Sequence, residues 1–342
     1  MSAVRRIAQN TVILIGTQVL VAVFGLIYGI YAARHLGPDS FGILTFALSL
    51  TQLASLLLGS GLAPLALREV SANRSTAPRY LANGGLLRLG MAAISLLLVT
   101  LYAWLMDYPA ETVLVVLLLA LALAFRAMTE IPYSIFRAFE MMQYIAVGQI
   151  LSSLLLLVGL AFALLYDFNV VGFAWLYVAA NGAALIYVAA MVLWRFFLSR
   201  RPPHISRGQV KIDISSMRAM RAAAFPFAVA TVGMASLHYA DSVMISAMVS
   251  NSDTLVGWYN AAYRLVDMLA AFRAASAISI TPILVQAYTT SREMLTFICE
   301  RLFKYYVIIA LPIGVGTTLL AERFIRTVYA ANIWTQPLPS RF

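Results

Sequence analysis

The sequence predicts an all-α polytopic membrane protein, built as a two-lobe helical bundle of parallel repeats with a six-span N-lobe and an incomplete three-span C-lobe. Composition is the first reason: 62% of the 342 residues are hydrophobic and 11% are charged, whereas soluble domains carry about 25% charged residues. The second reason is that apolar residues form segments of about 20 residues, the length of a membrane-crossing helix. The third is a polar turn, followed by an apolar residue and glycine, that recurs in both halves of the chain.

Nine segments have the length and composition of transmembrane helices. They are 11–33, 41–64, 84–106, 112–136, 144–166, 170–193, 222–249, 255–282 and 303–321. Short stretches such as HLGPDS, MDYPAE and YDFN connect them, and their Gly, Pro, Asn and Asp residues are typical of tight turns. The first segment is apolar over 23 residues, longer than the roughly 7–15 residues of a signal peptide's apolar core, so we interpret it as the first span.

Basic residues predict the orientation of these spans. Alternating spans place 17 of the arginines and lysines on the side of the N-terminus, while the opposite loops between spans hold only Arg34. Three arginines after the last span are a mild exception. Because cytoplasmic loops are enriched in Lys and Arg, we expect a cytoplasmic N-terminus. The net charge of +10 is then explained by cytoplasmic loops and anionic lipid headgroups rather than by nucleic acid.

The longest and most basic connection follows the sixth span and divides the chain. We predict an N-terminal lobe of six transmembrane helices (1–198), a cytoplasmic linker (199–221), an incomplete C-terminal lobe of three transmembrane helices (222–322) and an atypical tail (323–342). The Pro202-Pro203 pair argues against a continuous helix through the linker. Within the linker, we expect residues 214–221 to form a short amphipathic helix on the inner membrane surface.

The two halves contain similar stretches at equivalent positions. The first is LGPDSFGILTFALSLTQL, which contains Gly42, and the second is VSNSDTLVGWYNAAYRLVDML, which contains Gly257. In each, a polar outer turn precedes a span that opens with an apolar residue and glycine and ends near a proline, Pro64 or Pro282. Both stretches follow a span of the same direction, so we expect parallel repeats related by an axis along the membrane normal.

These stretches resemble a known family. YAARHLGPDSFGILTFALSLTQL, followed by GSGL and by Arg68-Glu69, resembles the opening of the Wzx-type polysaccharide/O-antigen (oligosaccharide) flippases. DSVMIS, followed by VGWYNAAYRL, resembles the start of their second lobe. These flippases are members of the multidrug/oligosaccharidyl-lipid/polysaccharide exporter superfamily, and the resemblance covers about residues 5–322. The family usually has more than nine spans, so we expect the chain to be C-terminally short.

The resemblance implies a flippase that moves undecaprenyl diphosphate-linked oligosaccharide across the bacterial inner membrane for polysaccharide export, by alternating access. The implied partners are this lipid-linked substrate, membrane lipids and other membrane proteins of polysaccharide assembly. Two alternatives remain open: a multidrug or cation antiporter of the same superfamily, and a truncated remnant that does not transport. The C-terminal stretch AANIWTQPLPSRF, which resembles neither a span nor the cap of one, is the reason for the second alternative.

An ionisable side chain inside a membrane costs roughly 2.5–3.5 kcal/mol, so those deep within the predicted spans are candidates for a functional role. They are Arg126 and Glu130 in span 4, His238 and Asp241 in span 7, and Arg264, Asp267 and Arg273 in span 8. Asp241 and Arg264 lie at matching heights of two adjacent antiparallel spans, so we predict an ion pair between them. Arg126 and Glu130 are four residues apart, so we predict that they pair along one helix.

The arginines among them are candidate substrate-binding residues. The guanidinium groups of Arg264, Arg126 and Arg273 are candidates for binding the diphosphate, because Arg forms bidentate hydrogen bonds with phosphate oxygens. Counted together with the three acids, these three arginines give no net charge when the histidine is neutral. The sequence therefore does not predict a plainly cationic lumen.

The remaining ionisable residues are candidates for ion coupling or for buried pairing: Asp241, His238, Asp267 and Glu130. Structural pairing between helices is the alternative role for the whole set. It is favoured for Arg126 and Glu130, because a pair within one helix satisfies itself, whereas a functional role is favoured for Asp241 and Arg264. Further polar residues are candidates for lining a lumen that accepts sugars: Tyr28, Tyr31, Gln52, Gln149 and Asn260.

We expect no enzymatic activity, no metal and no cofactor. The sequence contains no nucleotide-binding loop, no metal-ligand cluster and no paired carboxylates in an outer loop. A membrane glycan polymerase or ligase would be expected to carry a long outer loop with catalytic Arg or His, and the predicted outer loops are short. The intramembrane arginines favour an anionic lipid-linked substrate over the organic cations of a drug antiporter.

Overall fold

The computed structural model describes residues 3–59, 61–198, 212–249, 253–263 and 292–329. These residues form helices and turns without a β-strand, which confirms the all-α fold class. The long helices are α1 (Ala3–Gly59), α2 (Leu62–Ala72), α3 (Gly85–Leu105), α4 (Ala110–Ala138), α5 (Met142–Leu165), α6 (Val170–Val192), α7 (Ile214–Met248), α8 (253–263) and α9 (Arg292–Tyr329). Short helical turns over Arg74–Thr76, Ala77–Arg79 and Tyr80–Gly84 lead into α3, and another, Leu193–Leu198, follows α6.

Six helical stretches within the described residues are long and apolar enough to cross a membrane. They are Val12–Ser55, Arg74–Leu105, Ala110–Ala138, Met142–Leu165, Val170–Phe196 and Arg292–Leu320. The first covers nearly all of predicted span 1 and the first fifteen residues of predicted span 2, and α1 ends at Gly59. The others cover all or nearly all of predicted spans 3–6 and 9. Span 7 lies in α7, which is helical throughout but is not among the six, and span 8 begins in α8 and continues outside the described residues. Large apolar side chains such as Leu97 and Leu165 are exposed, as lipid contact requires.

Residues with positive φ form the connections that the sequence predicts as tight turns. Gly37 has a φ of 71° and kinks α1 between spans 1 and 2, and Pro38 begins the second arm of the helix. Asp107 and Asp167, with φ of 54° and 52°, lie in the α3–α4 and α5–α6 turns, and Asp tolerates this left-handed region better than most residues. Glu140, with a φ of 59°, lies in the turn between α4 and α5. The turns predicted at HLGPDS, MDYPAE and YDFN are therefore confirmed.

Helix α7 begins earlier than the sequence predicts. Asp213 caps it, because its carboxylate accepts hydrogen bonds from the backbone amides of Ser215 (3.0 Å) and Ser216 (3.1 Å). Hydrogen bonds from the hydroxyl and the amide of Ser215 hold the pKa of Asp213 below its ordinary value. Residues 214–221 are therefore the first turns of one continuous helix, and the separate amphipathic helix expected there is wrong.

The first turns of α7 pack against protein rather than lying on the membrane surface. Ser216, Met220 and Ala224 share one face of the helix and are buried. Gly61, just before α2, has a φ of 95°, and a Cβ added to it would lie 2.3 Å from the carbonyl oxygen of Ala224. Arg79 adds a hydrogen bond of 2.6 Å to the hydroxyl of Ser216. This packing beside α2, which local sequence does not reveal, explains why residues 214–221 belong to the continuous helix α7.

Two apolar clusters hold opposite ends of the bundle together. One contains Phe41 and Val115, and the other contains Ile135. Val115 and Ile135 lie near the two ends of α4, so the length of this helix separates the clusters. We call the first the Gly42 end and the second the Arg137 end, after residues next to each cluster.

The two repeated stretches lie against each other at the Gly42 end. A Cβ added to Gly42 would lie 1.7 Å from the carbonyl oxygen of Asp253, and one added to Gly257 would lie 2.1 Å from the carbonyl oxygen of Pro38. The two contacts are reciprocal, because Pro38 precedes Gly42 by four residues and Asp253 precedes Gly257 by four residues. Only glycine allows such a close approach of two backbones, which explains why the glycine recurs in both stretches.

Polar groups of the same two stretches meet beside these glycines. The hydroxyl of Thr254 donates a hydrogen bond to the carboxylate of Asp39. Burial raises the pKa of Asp253, and the nearby carboxylate of Asp39 raises it further. The predicted repeats are thus in direct contact at this end, through their backbones and through one hydrogen bond between their turns.

Candidate functional site

A polar cavity of about 490 Å³ lies in the N-terminal half of the bundle, and we call it the larger cavity. Its polar lining comes from α1, α4, α5 and α6: Gln18, Tyr28, Arg126, Thr129, Glu130, Tyr133, Ser134, Arg137, Gln149, Ser152, Ser153, Tyr177 and Asn181. Its volume is in the usual range of ligand sites, about 300–1,000 Å³. Because Arg137 lines it, the larger cavity extends towards the Arg137 end.

A second cavity of about 270 Å³, the smaller cavity, lies between this half and helices α7 and α8. Its polar lining is Thr45, Ser49, Gln52, Arg126, Tyr177, Asn181, Tyr239, Asn260 and Tyr263. Three residues line both cavities, and we call them the junction: Arg126, Tyr177 and Asn181. The two cavities therefore adjoin at the junction, and the smaller one extends from it towards the Gly42 end.

Arg126 is the cation at the junction. It lies in the middle of α4, sixteen residues after Ala110 and twelve before Ala138, yet its side chain is exposed because it borders the two cavities. Within the described part of the chain, no acidic side chain pairs with it. A guanidinium group at mid-helix with five N–H donors facing a cavity is suited to an anionic ligand.

Glu130 pairs with Arg88 rather than with Arg126. Its Oε2 lies 2.5 Å from Nη2 of Arg88, and Nε of Arg88 also donates to the carbonyl oxygen of Ala127 at 3.3 Å. Arg88 is 4% exposed, while the side chain of Glu130 is 42% exposed and lines the larger cavity. The predicted pair within α4 is therefore wrong, because a neighbouring helix supplies the cation.

The cavities consequently have a positive charge. Arg126 and Arg137 line the larger cavity, and Glu130 is the acidic residue among its described lining residues. Because Arg88 neutralises Glu130 from outside the cavity, the positive charges of Arg126 and Arg137 are not cancelled. The sequence, which balanced Arg126 against Glu130, did not predict this charge.

Asp241 is held by a tyrosine of the neighbouring helix. The hydroxyl of Tyr259 donates to its Oδ2 at 2.6 Å, and Asn260 donates to the hydroxyl of Ser242 at 3.0 Å. Only a short connection separates the end of α7 at Met248 from the start of α8 at residue 253, so these two packed helices are antiparallel neighbours, with Asp241 facing α8. Asp241 itself is not among the residues that line the two cavities; its neighbour Tyr239 is.

The other predicted site residues remain untested. Arg264, Asp267 and Arg273 lie outside the described residues, and His238 lies in α7 but its side chain is outside them too. The predicted Asp241–Arg264 ion pair therefore stays a prediction. The contact of Tyr259 with Asp241 was not predicted from the sequence, although the matching heights of the two spans were a usable signal.

The residues expected to line a lumen for sugars do so with one exception. Tyr28 and Gln149 line the larger cavity, and Gln52 and Asn260 line the smaller one. Tyr31 is exposed instead, and the guanidinium of Arg34 lies 5.6 Å from its ring centroid. The junction residue Asn181 was missed, although an Asn within an apolar span is a signal that could have found it.

We expect Tyr259→Phe to destabilise the fold by about 1.5–3 kcal/mol, because a hydrogen bond to a charged group contributes about that much. Thermal unfolding of the purified protein in detergent measures the change. Tyr166→Phe is the matched control, since Tyr166 is 70% exposed. Equal unfolding temperatures for the two variants would show that the Tyr259–Asp241 bond contributes nothing to stability.

Comparison with known proteins adds to this description. The model of a family described as polysaccharide biosynthesis protein matches residues 7–288. The curated proteins include no significant match to the chain. The matched range contains both cavities and both repeated stretches.

Solved transporters share the fold. An inward-facing and an outward-facing conformation of a multidrug resistance MATE family transporter of the MOP superfamily each match with a TM-score of 0.58 and 17% identity. The first match covers 97% of this chain and 77% of that chain, and the second covers 93% and 73%. A MOP superfamily transporter from Pyrococcus furiosus, whose binding pocket is described as having reverse polarity, matches with a TM-score of 0.55 and 18% identity over 93% of this chain and 72% of that chain. At these identities the likeness shows the fold alone.

Proposed function

Because this chain belongs to the polysaccharide biosynthesis protein family, we propose that it is a flippase that moves undecaprenyl diphosphate-linked oligosaccharide across the bacterial inner membrane. The family and the fold are those of a multi-pass membrane transporter. The proposal adds to them a substrate, a membrane and a mechanism of alternating access for polysaccharide export.

The uncancelled charge of Arg126 is the observation that carries the proposed substrate. A diphosphate that leaves water needs cationic hydrogen-bond donors, and guanidinium groups fit phosphate oxygens as bidentate partners. Arg126 offers such a group at the junction of the two cavities. Arg88 supports this role from outside the cavity, because it keeps Glu130 from pairing with Arg126.

The arrangement of the cavities supports loading from the cytoplasm. The basic residues on the side of the N-terminus predict that the Arg137 end faces the cytoplasm, and the larger cavity extends towards that end. At the other end, the contacts of Gly42 and Gly257 bring the two repeated stretches together. In the proposed cycle, this outer contact separates after loading, and the lipid-linked glycan leaves on the outer side.

A cation antiporter of the same superfamily is the alternative, and charge distinguishes the two. Organic cations bind to carboxylates that are free to pair with them. Among the described lining residues, the acidic group is Glu130, which Arg88 already neutralises. The positive charge of the cavity therefore favours an anionic substrate.

We expect Arg126→Ala to reduce transfer of a lipid diphosphate-linked glycan by about tenfold or more, because a charge-assisted hydrogen bond contributes about 1.5–3 kcal/mol. The measurement uses purified protein in proteoliposomes. It follows the transfer of the glycan through its accessibility in each leaflet, with and without a proton or sodium gradient. Arg126→Lys keeps the charge but loses the planar fork, so we expect an intermediate rate.

Arg218→Ala is the matched control, because Arg218 is exposed and lines neither cavity. If a folded wild-type protein transferred no glycolipid but accumulated an organic cation such as ethidium, the antiporter alternative would replace the flippase. Equal transfer by the Arg126→Ala and Arg218→Ala variants would remove Arg126 from the site.

A further inference from the structure

The smaller cavity has a different chemistry from the larger one. Its described polar lining consists of hydroxyl and amide groups, apart from the guanidinium of Arg126 at its border: Thr45, Ser49, Gln52, Asn181, Asn260 and three tyrosines. The larger cavity also contains Arg137 and Glu130. Charge is thus concentrated towards the Arg137 end, and neutral polar groups are concentrated towards the Gly42 end.

This lining is suited to a sugar. Each sugar hydroxyl is both a donor and an acceptor, and amide side chains offer both functions side by side. The rings of Tyr177, Tyr239 and Tyr263 provide apolar faces that end in a polar hydroxyl. A phosphate group, by contrast, gains little from neutral groups when a guanidinium is within reach.

From this division we propose that the smaller cavity binds the sugar residue attached to the diphosphate, while the diphosphate itself binds at Arg126. The inference rests on the proposed function and deepens it, because it assigns the two parts of one substrate to two parts of the site. The cavity volume of about 270 Å³ is near the lower limit of ligand sites, about 300 Å³. It accommodates a single sugar ring and not a whole oligosaccharide.

Gln52 is the residue best placed to recognise this sugar. The amide nitrogen of Asn260 donates to Ser242 and to the carbonyl oxygen of Val256, and that of Asn181 donates to the carbonyl oxygen of Tyr177. These amides are thereby partly occupied. Gln52 is half-buried in the second arm of α1, and its side chain offers both a donor and an acceptor to the cavity.

The test compares the binding of two lipids to the full chain in detergent: undecaprenyl diphosphate linked to N-acetylglucosamine, and undecaprenyl diphosphate without a sugar. Gln52→Met removes the amide at nearly constant side-chain length. We expect it to weaken binding of the glycolipid by about threefold to tenfold, the value of a typical hydrogen bond, and to leave binding of the sugar-free lipid unchanged. Arg126→Ala should weaken binding of both lipids.

The matched control is Gln143→Met, since Gln143 is exposed on α5 and lines neither cavity. Ser49→Ala is a second variant with the same expected selectivity, and it decides the question if Gln52→Met does not fold. If the wild type binds only the glycolipid, the sugar site is supported when Gln52→Met weakens binding of the glycolipid and Gln143→Met does not.

The failures of the two proposals are distinguishable. If the wild type bound neither lipid, the proposed function itself would fail. If it bound both lipids equally tightly, or if Gln52→Met weakened both or neither, the sugar site would be wrong while recognition of the diphosphate still stood.

Discussion

Replacing Arg88 by leucine is expected to destabilise the protein by about 3 kcal/mol, the lower end of the cost of breaking a buried ion pair. Arg88 is 4% exposed and lies between α3 and α4, where it binds Glu130 and the carbonyl oxygen of Ala127. The cost is at the lower end because Glu130 borders the larger cavity and is partly screened. Thermal or urea unfolding of the purified protein measures it.

The double variant Arg88→Leu/Glu130→Gln isolates the pair. If the loss comes from the unpaired carboxylate, replacing Glu130 by neutral glutamine should recover about half of the lost stability or more, because buried pairs are costly mainly when one partner is removed. Arg218→Leu, at an exposed position, controls for the loss of a positive charge. An Arg88→Leu variant as stable as Arg218→Leu would show that the pair contributes nothing.

The same variants distinguish a positioning role from a purely structural one. In Arg88→Leu, Glu130 becomes free to pair with Arg126, four residues earlier on the same helix, and the charge of the cavity falls by one. Binding of undecaprenyl diphosphate should therefore weaken even in protein that remains folded. Glu130→Gln in the same background should restore binding, whereas a structural defect alone would not be rescued by a change of charge.

Much of the fold could be predicted because it depends on short-range chemistry. Apolar segments of bilayer length define the spans, and Gly37, Asp107 and Asp167 mark turns that need positive φ. The glycines of the two repeated stretches were also visible in the sequence. What the sequence did not show is that these glycines contact each other's stretch, because that requires knowing that the two repeats meet.

The candidate site was harder to predict because it depends on how helices are rotated against each other. Four-residue spacing made Arg126 and Glu130 a plausible pair, and nothing in α4 shows that Arg88 of another helix reaches Glu130 first. The position of Arg88 also hid its role. Because Arg88 lies close to the start of its predicted span, it was counted with the cytoplasmic basic residues and not with the intramembrane charges. The start of α7 was mispredicted for a similar reason, since its packing beside α2 is a contact between helices that residues 214–221 do not reveal by themselves.

Adding one methyl group at Gly42 is expected to separate the two repeated stretches and to abolish transport. The Cβ of Gly42→Ala would lie 1.7 Å from the carbonyl oxygen of Asp253. A flexible side chain could move away from such a clash, but a helix backbone cannot. Overpacking of this kind costs about 3 kcal/mol or more, which is enough to favour a conformation in which the Gly42 end is open. Gly257→Ala should have the same effect, because its Cβ would lie 2.1 Å from the carbonyl oxygen of Pro38.

Cross-linking between the two stretches measures this separation. Asp39 and Thr254 are hydrogen-bonded, so cysteines at both positions, with the exposed Cys299 replaced by serine, should be joined by a short bifunctional thiol reagent. Either glycine variant should reduce the cross-link to background, and the double variant should add little, because one methyl group already separates the same surface. Gly90→Ala is the matched control, since a Cβ there meets nothing within 4 Å. Undiminished cross-linking in both glycine variants would mean that the two stretches do not depend on this close approach, and the contact at the Gly42 end would then have no part in the proposed transport cycle.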